Sequence, residues 1–453
     1  MKATWRVPLV VLLAIFAGCG EGTSEPPTDS SDASTSGEGS AGGSTASHTG
    51  GATGAGGIPG GGTGGMPSSA GTGGIPTSGA GGMTAAGGAG GRVVATGGTA
   101  GANAGMGGSS GLGGAGAGTS GAGGATTVLP AVRVVGRTGM GPATGSIEYS
   151  WPGVNIQASF MGTQASMMVN NASANNRLTV VVDGGSPKTI AMVSGQSTVA
   201  LASGLPSGMH EMVIWRNTEA SPGGLTTFDG LTGFGPAGGL LAPPSEPARR
   251  IEMIGDSLSV GAGVEGNATC AGGIDAYTNN YLAYGSVATR ALSAEVVTIA
   301  YSGIGVYRNF GETTPTADSL TMPRRYPYAI PDTVLWDFSL YQPHVVVINL
   351  GTNDFGAGDP GTPFENAYVS FVQAIRVKYP DTYFILIDMY GGMRLTRLDN
   401  IFTTLKNGGE SKVEVLSLNA VQNNLGCNQH PNIAGQQGMG NTLAARIRVV
   451  MGW

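Results

Sequence analysis

Ile251-Glu252-Met253-Ile254-Gly255-Asp256-Ser257-Leu258 is a short, mostly apolar run, broken by a glycine and followed at once by a serine. A brief apolar run of this kind is what a strand covered on both faces of a parallel sheet requires. Gly255 permits a sharp turn, so Ser257 stands at the carboxyl edge of that strand. Four further runs of the same type come at 296–300, 345–350, 383–388 and 413–418, with helical patterns between them. The clearest pattern places Phe364, Tyr368, Phe371, Val372, Ile375 and Tyr379 on one helix face. Strands alternating with helices predict an α/β fold with a parallel sheet, its active site beyond the carboxyl ends of the strands.

A serine hydroxyl is a poor nucleophile until a base takes its proton. The chain has 4 histidines, which narrows the search. His48 lies in a glycine-rich stretch. His210 just precedes a strand-like run and reads as a satisfied surface or core histidine. His344 opens the 345–350 strand at its amino end, the wrong edge. His430, in Gln429-His430-Pro431 after the last strand, is left as the base. Two other strand-end loops supply donors for an oxyanion. Tyr301-Ser302-Gly303-Ile304-Gly305 offers the Gly303 N–H, and Gly351-Thr352-Asn353-Asp354 offers the Asn353 amide. With the Ser257 N–H they make a set in which losing one member costs about 10²–10³ in rate.

Gly255-Asp256-Ser257-Leu258, Gly303, Gly351-Thr352-Asn353-Asp354 and His430 resemble, in the same order, the four blocks of the SGNH (GDSL-type) hydrolases. The stretch from Trp336-Asp337-Phe338 through Gln342-Pro343-His344 to Asp354-Phe355 resembles one branch, the carbohydrate esterase family 2 acetyl esterases, as does Arg249-Arg250-Ile251-Glu252. The resemblance runs from about Val132 to Trp453. It implies a three-layer α/β/α catalytic domain over 249–453, preceded by an all-β jelly-roll sandwich over 128–243. It also implies removal of O-acetyl groups from plant polysaccharides or oligosaccharides such as xylan and glucomannan, without metal or cofactor. The rival readings are an SGNH lipase or lysophospholipase, which needs a wide apolar acyl channel, and a carbohydrate-binding surface lipoprotein with an impaired catalytic half.

One position departs from the pattern. SGNH enzymes usually carry an Asp two or three residues before the histidine, where this chain has Asn428 and Cys427. Some members of the resembled family orient the ring with a backbone carbonyl instead, and a Ser–His dyad is expected here. Asp256 is assigned to loop support rather than to base chemistry. Trp336, Tyr301 and Phe355 flank the catalytic loops and are candidate sugar platforms. Trp151 and Trp215 fall in strand-like runs of the 128–243 segment and are expected in the sandwich core. That segment reads as all-β: Val154, Ile156, Ala158 and Phe160 alternate with Asn155, Gln157 and Ser159 as in a half-buried strand.

Composition sets the rest. From about residue 21 to 127 the chain is almost entirely Gly, Ala, Ser, Thr and Pro, and between Gly39 and Thr127 its one formal charge is Arg92. Such a stretch buries too little apolar surface to offset chain entropy and is expected to be a flexible linker over 19–127. The Gly107–Gly111 match to a nucleophile elbow lies inside it, without a flanking strand or helix. The net charge of −6, with no Lys/Arg cluster, argues against a nucleic-acid partner. Lys2 and Arg6 precede a short apolar run, and Phe16-Ala17-Gly18-Cys19 resembles a lipobox. Residues 1–18 therefore read as a lipoprotein signal peptide and Cys19 as the lipidation site, the chain's only link to a membrane. Gly20 lacks the aspartate that retains lipoproteins at an inner membrane, so the exported protein is expected at the cell surface or outer membrane, with secretion as the alternative, and as a monomer. The remaining cysteines, Cys270 and Cys427, are expected to be bridged in an oxidising compartment.

Overall fold

The structure, a computed structural model, describes residues 128–129, 132–418 and 424–453. The signal, the linker and Cys19 lie outside the described residues.

Five parallel strands form one sheet: β1 (Arg249–Gly255), β2 (Ala294–Ala300), β3 (Val345–Asn349), β4 (Tyr383–Asp388) and β5 (Val413–Ser417), in the spatial order β2-β1-β3-β4-β5. The order reverses at β1, and a parallel sheet opens a crevice at such a switch point. Five helices cover this sheet or lead into its cleft: α1 (Ser257–Val260), α2 (Tyr284–Ala291), α3 (Thr362–Lys378), α4 (Gly392–Asn407) and α5 (Ile433–Met451). Alternate strand residues feed two helical layers. Ile251, Met253, Val345, Val347, Ile385 and Ile387 pack with Tyr284, Ala288, Met439 and Leu443 of α2 and α5. Ile254, Val346, Ile348, Phe384 and Leu386 pack with Phe364, Tyr368, Phe371 and Ile375 of α3 and with α4. Both sheet faces are buried, which is why the strands read as unbroken apolar runs.

Before this sheet come two antiparallel sheets, one of seven strands and one of five. In the larger, Asn155–Gly162 pairs with Gly208–Arg216, which pairs with Arg177–Val182. In the smaller, Thr226–Thr232 lies between Ile147–Tyr149 and Ala165–Asn171. Val134, Ile156, Ala158, Phe160 and Ile214 from one sheet and Tyr149, Met167, Val169 and Phe228 from the other share a core that continues into the α3/α4 side of the parallel sheet.

Three expectations change. The strand around Ile156 is buried on both faces rather than one. Its polar side is occupied by Arg133, which donates to Gln157 at 2.5 Å, and by a 2.8 Å bond from Gln157 to Asn155. Trp215 packs with the α2/α5 layer rather than in the sandwich core, its indole N–H donating to Asn280 at 3.1 Å. Gly255 does not take a left-handed backbone. It is needed for close approach, because an added Cβ would stand 2.1 Å from the Ser259 hydroxyl oxygen.

Candidate active site

Asp256 turns the chain from β1 into α1: its carboxylate accepts from the Leu258 N–H at 3.0 Å and caps the helix. Ser257 is thereby the first helical residue, and its own N–H has no partner among the described residues. Burial pushes the Asp256 carboxyl up to about 7 against the hydrogen bonds it accepts. This fits the supporting role expected of it.

The histidine arrives from beyond β5. Asn428 and Gln429 both take positive φ (49° and 60°), which folds the loop back on itself. The Gly426 N–H donates to the His430 carbonyl at 2.7 Å. Cys427 is bridged to Cys270, tying this loop to the segment that comes after the serine. His430 Nε2 then lies 2.7 Å from Ser257 Oγ, and its Nδ1 lies 3.0 Å from the Asn428 backbone oxygen. A carbonyl only accepts, so Nδ1 carries the hydrogen and Nε2 is left to receive the serine proton. Burial pulls the ring below the usual histidine range, so it is neutral near pH 7. No carboxylate among the described residues touches it; the Asn428 backbone stands where a triad has an acid.

Gly303 comes after β2 with φ +78°, its N–H unpartnered among the described residues and open space where a Cβ would be. The loop is held from both sides. Asp354 accepts from the N–H groups of Val306, Tyr307 and Arg308 at 3.0, 2.7 and 2.9 Å. On the other side Glu219, from the antiparallel sheets, accepts from the Ser302 N–H. Burial pushes the Glu219 carboxyl up to about 7. Asn353 gives one amide hydrogen to the Ile304 carbonyl at 2.8 Å and the other, more loosely, to Asp256 at 3.3 Å.

Ser257, Gly303, Asn353 and His430 line one cleft of about 730 Å³ at the carboxyl edge of the sheet. The three expected platforms do not line it. Trp336 is buried under the Arg137 guanidinium. Tyr301 is packed against the core with Arg325 over its ring. Phe355 is packed edge-on against Phe364. Aromatics at strand ends served the core, as they do more often than not. The rings that reach the cleft are Phe310, 70% exposed, and Tyr390, 36% exposed. Neither was picked out in the sequence, nor were Glu219 and Arg394, because all four sit outside the recognisable blocks. The other histidines among the described residues are accounted for: His210 bonds Asp183 and the Pro206 carbonyl, and His344 accepts from the Arg250 N–H, while His48 lies outside those residues. No group of three or more metal-ligating side chains comes together among the described residues, and no helix there is long and apolar enough to cross a membrane.

Known proteins share both parts. Residues 134–244 match the carbohydrate esterase 2 N-terminal family, and residues 253–437 match the GDSL-like lipase/acylhydrolase family. The cellulase/esterase CelE of Acetivibrio thermocellus is 36% identical over 314 residues, covering 67% of this chain but only 38% of that relative. An acetylxylan esterase / glucomannan deacetylase of Cellvibrio japonicus is 27% identical over 334 residues, 72% of this chain and 90% of the relative. A solved family two carbohydrate esterase from Clostridium thermocellum, in complex with cellohexaose, superposes with a TM-score of 0.65 at 34% identity, over 71% of this chain and 99% of that one. The chain belongs to carbohydrate esterase family 2, on the SGNH (GDSL-like) hydrolase fold.

Proposed function

We propose that this chain removes O-acetyl groups from polysaccharides or their fragments by a Ser257–His430 dyad. The observation that carries the reading is the 2.7 Å contact between His430 Nε2 and Ser257 Oγ in an open cleft at the switch point of the sheet. The relatives' names, an acetylxylan esterase / glucomannan deacetylase among them, support acetylated xylan or glucomannan as substrate.

Ser257 Oγ attacks the acetyl carbonyl carbon and its proton passes to His430 Nε2, while Nδ1–H stays on the Asn428 carbonyl. The carbonyl oxygen becomes an oxyanion before the N–H groups of Ser257 and Gly303, and Asn353 turns its loosely held hydrogen from Asp256 towards it. His430 gives the proton to the departing sugar oxygen as the C–O bond breaks, leaving acetyl-Ser257. Water then attacks the acetyl carbon, His430 takes its proton and returns it to Oγ, and acetate leaves. Ser257→Ala should lower acetate release from acetylated xylan and glucomannan by at least about 10⁴-fold. A variant that still turns over within tenfold of the wild type would remove Ser257 from this role.

The same reading divides the folded chain at 128–243 (jelly roll) and 249–453, and has the product cut before Cys19, lipidated there and exported as a monomer on a glycine-rich tether. Incorporation of labelled palmitate that disappears in Cys19→Ala tests the anchor.

A further inference from the structure

Arg394 and Arg397 lie three residues apart in the first turns of α4, and only one of them has what an arginine needs. Arg397 donates to Asp359 at 2.7 Å and to Glu365 at 2.9 Å. Arg394 has no hydrogen bond and no ion pair among the described residues, and its Nε is buried without a partner. Its guanidinium carbon instead sits 4.6 Å from the Tyr390 ring centre and 5.2 Å from that of Phe355. Arg394 and Tyr390 both line the cleft that holds Ser257 and His430.

Local forces do not explain this placement. A cation in the first turn of a helix opposes the macrodipole. A buried guanidinium N–H without an acceptor loses its hydration for nothing. The chain does not relieve it: Asp388, at the end of β4, spends its oxygens on the Tyr390 and Gly391 N–H groups and on the Ser417 hydroxyl. Residues 419–423, which come after β5, carry no charged side chain. The two rings fix the planar fork without neutralising it, and a fixed, uncompensated fork matches a planar anion with two oxygens.

We infer that Arg394 is a specificity-determining residue that receives the carboxylate of a uronic acid carried by the same polysaccharide as the acetyl group. The inference rests on the deacetylase reading for the nature of the polymer. The substrate class becomes an acetylated, uronic-acid-substituted chain, a glucuronoxylan rather than a neutral xylan. Asp275 also lines the cleft, and it disfavours an anion placed away from Arg394, which makes the position of the acid group on the sugar chain matter.

The test compares xylo-oligosaccharides with and without one glucuronic acid branch in two separate measurements. Calorimetric binding to Ser257→Ala, with unacetylated oligosaccharides, reads the subsite without catalysis. Acetate release from the acetylated pair, in the otherwise native chain, reads kcat/KM. The acidic member should be preferred roughly tenfold or more in each, the size of one charge-assisted hydrogen bond. Arg394→Gln should bring both ratios to about one, and Arg394→Lys should leave an intermediate ratio because an ammonium keeps the charge and loses the fork. Ratios cancel any general loss of folding or activity. Equal binding of the two oligosaccharides, or a preference that survives Arg394→Gln, overturns the inference while acetate release still supports the deacetylase. A preference in binding without acetate release from either substrate leaves the subsite standing and overturns the deacetylase.

Discussion

Glu252 and Glu219 are both buried where the antiparallel sheets meet the parallel one, and they are satisfied in opposite ways. Glu252, on β1, faces the Arg137 guanidinium at 3.3 Å and accepts from the hydroxyls of Tyr326 and Tyr379 at 2.5 and 3.0 Å. Arg137 in turn lies over the rings of Tyr326, Trp336 and Phe338. Glu219 makes no ion pair among the described residues; Arg325, which acts on it electrostatically, is paired with Asp332, and Arg216 gives its hydrogen bond to the Glu219 backbone carbonyl rather than to the carboxylate. What Glu219 holds is the backbone of Ser302, one residue from the Gly303 N–H. The first junction is a clamp whose charges cancel. The second keeps a desolvated carboxylate that stability alone would discard, the kind of violation a functional site retains.

Breaking the clamp should therefore have the largest effect. Arg137→Met leaves Glu252 buried and uncompensated, at a cost of about 3–5 kcal/mol, seen as a lower urea midpoint. Adding Glu252→Gln should recover part of that loss. An unchanged midpoint in Arg137→Met would show that the two sheets are held without the pair.

Glu219 should respond the other way. Its folded-state carboxyl is raised to about 7. The native form thus binds a proton more tightly than the unfolded chain, and the stability this gives is full at low pH. It is lost as pH rises through the unfolded value and on past about 7. Glu219→Gln should remove this dependence, so that the variant is no less stable than the wild type at pH 8. Glu219→Ala should lower kcat by roughly tenfold, a fraction of one oxyanion donor, because the Ser302 N–H is released and Gly303 is no longer held. If Glu219 were a second clamp, both variants would fall in stability as Arg137→Met does.

The two junctions also differ from the sheet between them in how far they could be read from the sequence. All five parallel strands were legible to within two residues at either end, because burial on both faces writes each as an uninterrupted apolar run. Ser257 and His430, the pair held 2.7 Å apart, were singled out in the sequence as well: one comes directly after a strand, and the other is the one histidine left on the correct edge. What connects the two sheet systems was not. Glu219, Arg133 and Arg137 lie in segments with no local pattern, and the partners they meet on the parallel-sheet side are more than 80 residues away. The aromatic platforms failed for a related reason. Proximity in sequence to a catalytic loop does not say which way a ring points, and the core claimed Trp336, Tyr301 and Phe355 before the cleft could. Phe310 and Tyr390, which reach it, carry no signal beyond being aromatic.

The smallest effects are expected at the histidine loop, where the ring is held by backbone rather than charge. Because burial lowers the His430 pKa, kcat/KM should stay on its plateau below pH 6.5 and fall only as the ring protonates further down. Asn428→Gly keeps the carbonyl that faces Nδ1 and suits the positive φ of that residue, so kcat should change by less than about threefold and the acid limb should not move. Asn428→Asp places a carboxylate close to the ring, which favours the imidazolium and should shift the acid limb to higher pH. A collapse of activity in Asn428→Gly would mean that the asparagine side chain, not its backbone, orients the base. In that case the loop would be a triad with an amide in the acid's place, and the contrast drawn from Glu219 would extend to His430: support for chemistry at this site would come from side chains throughout.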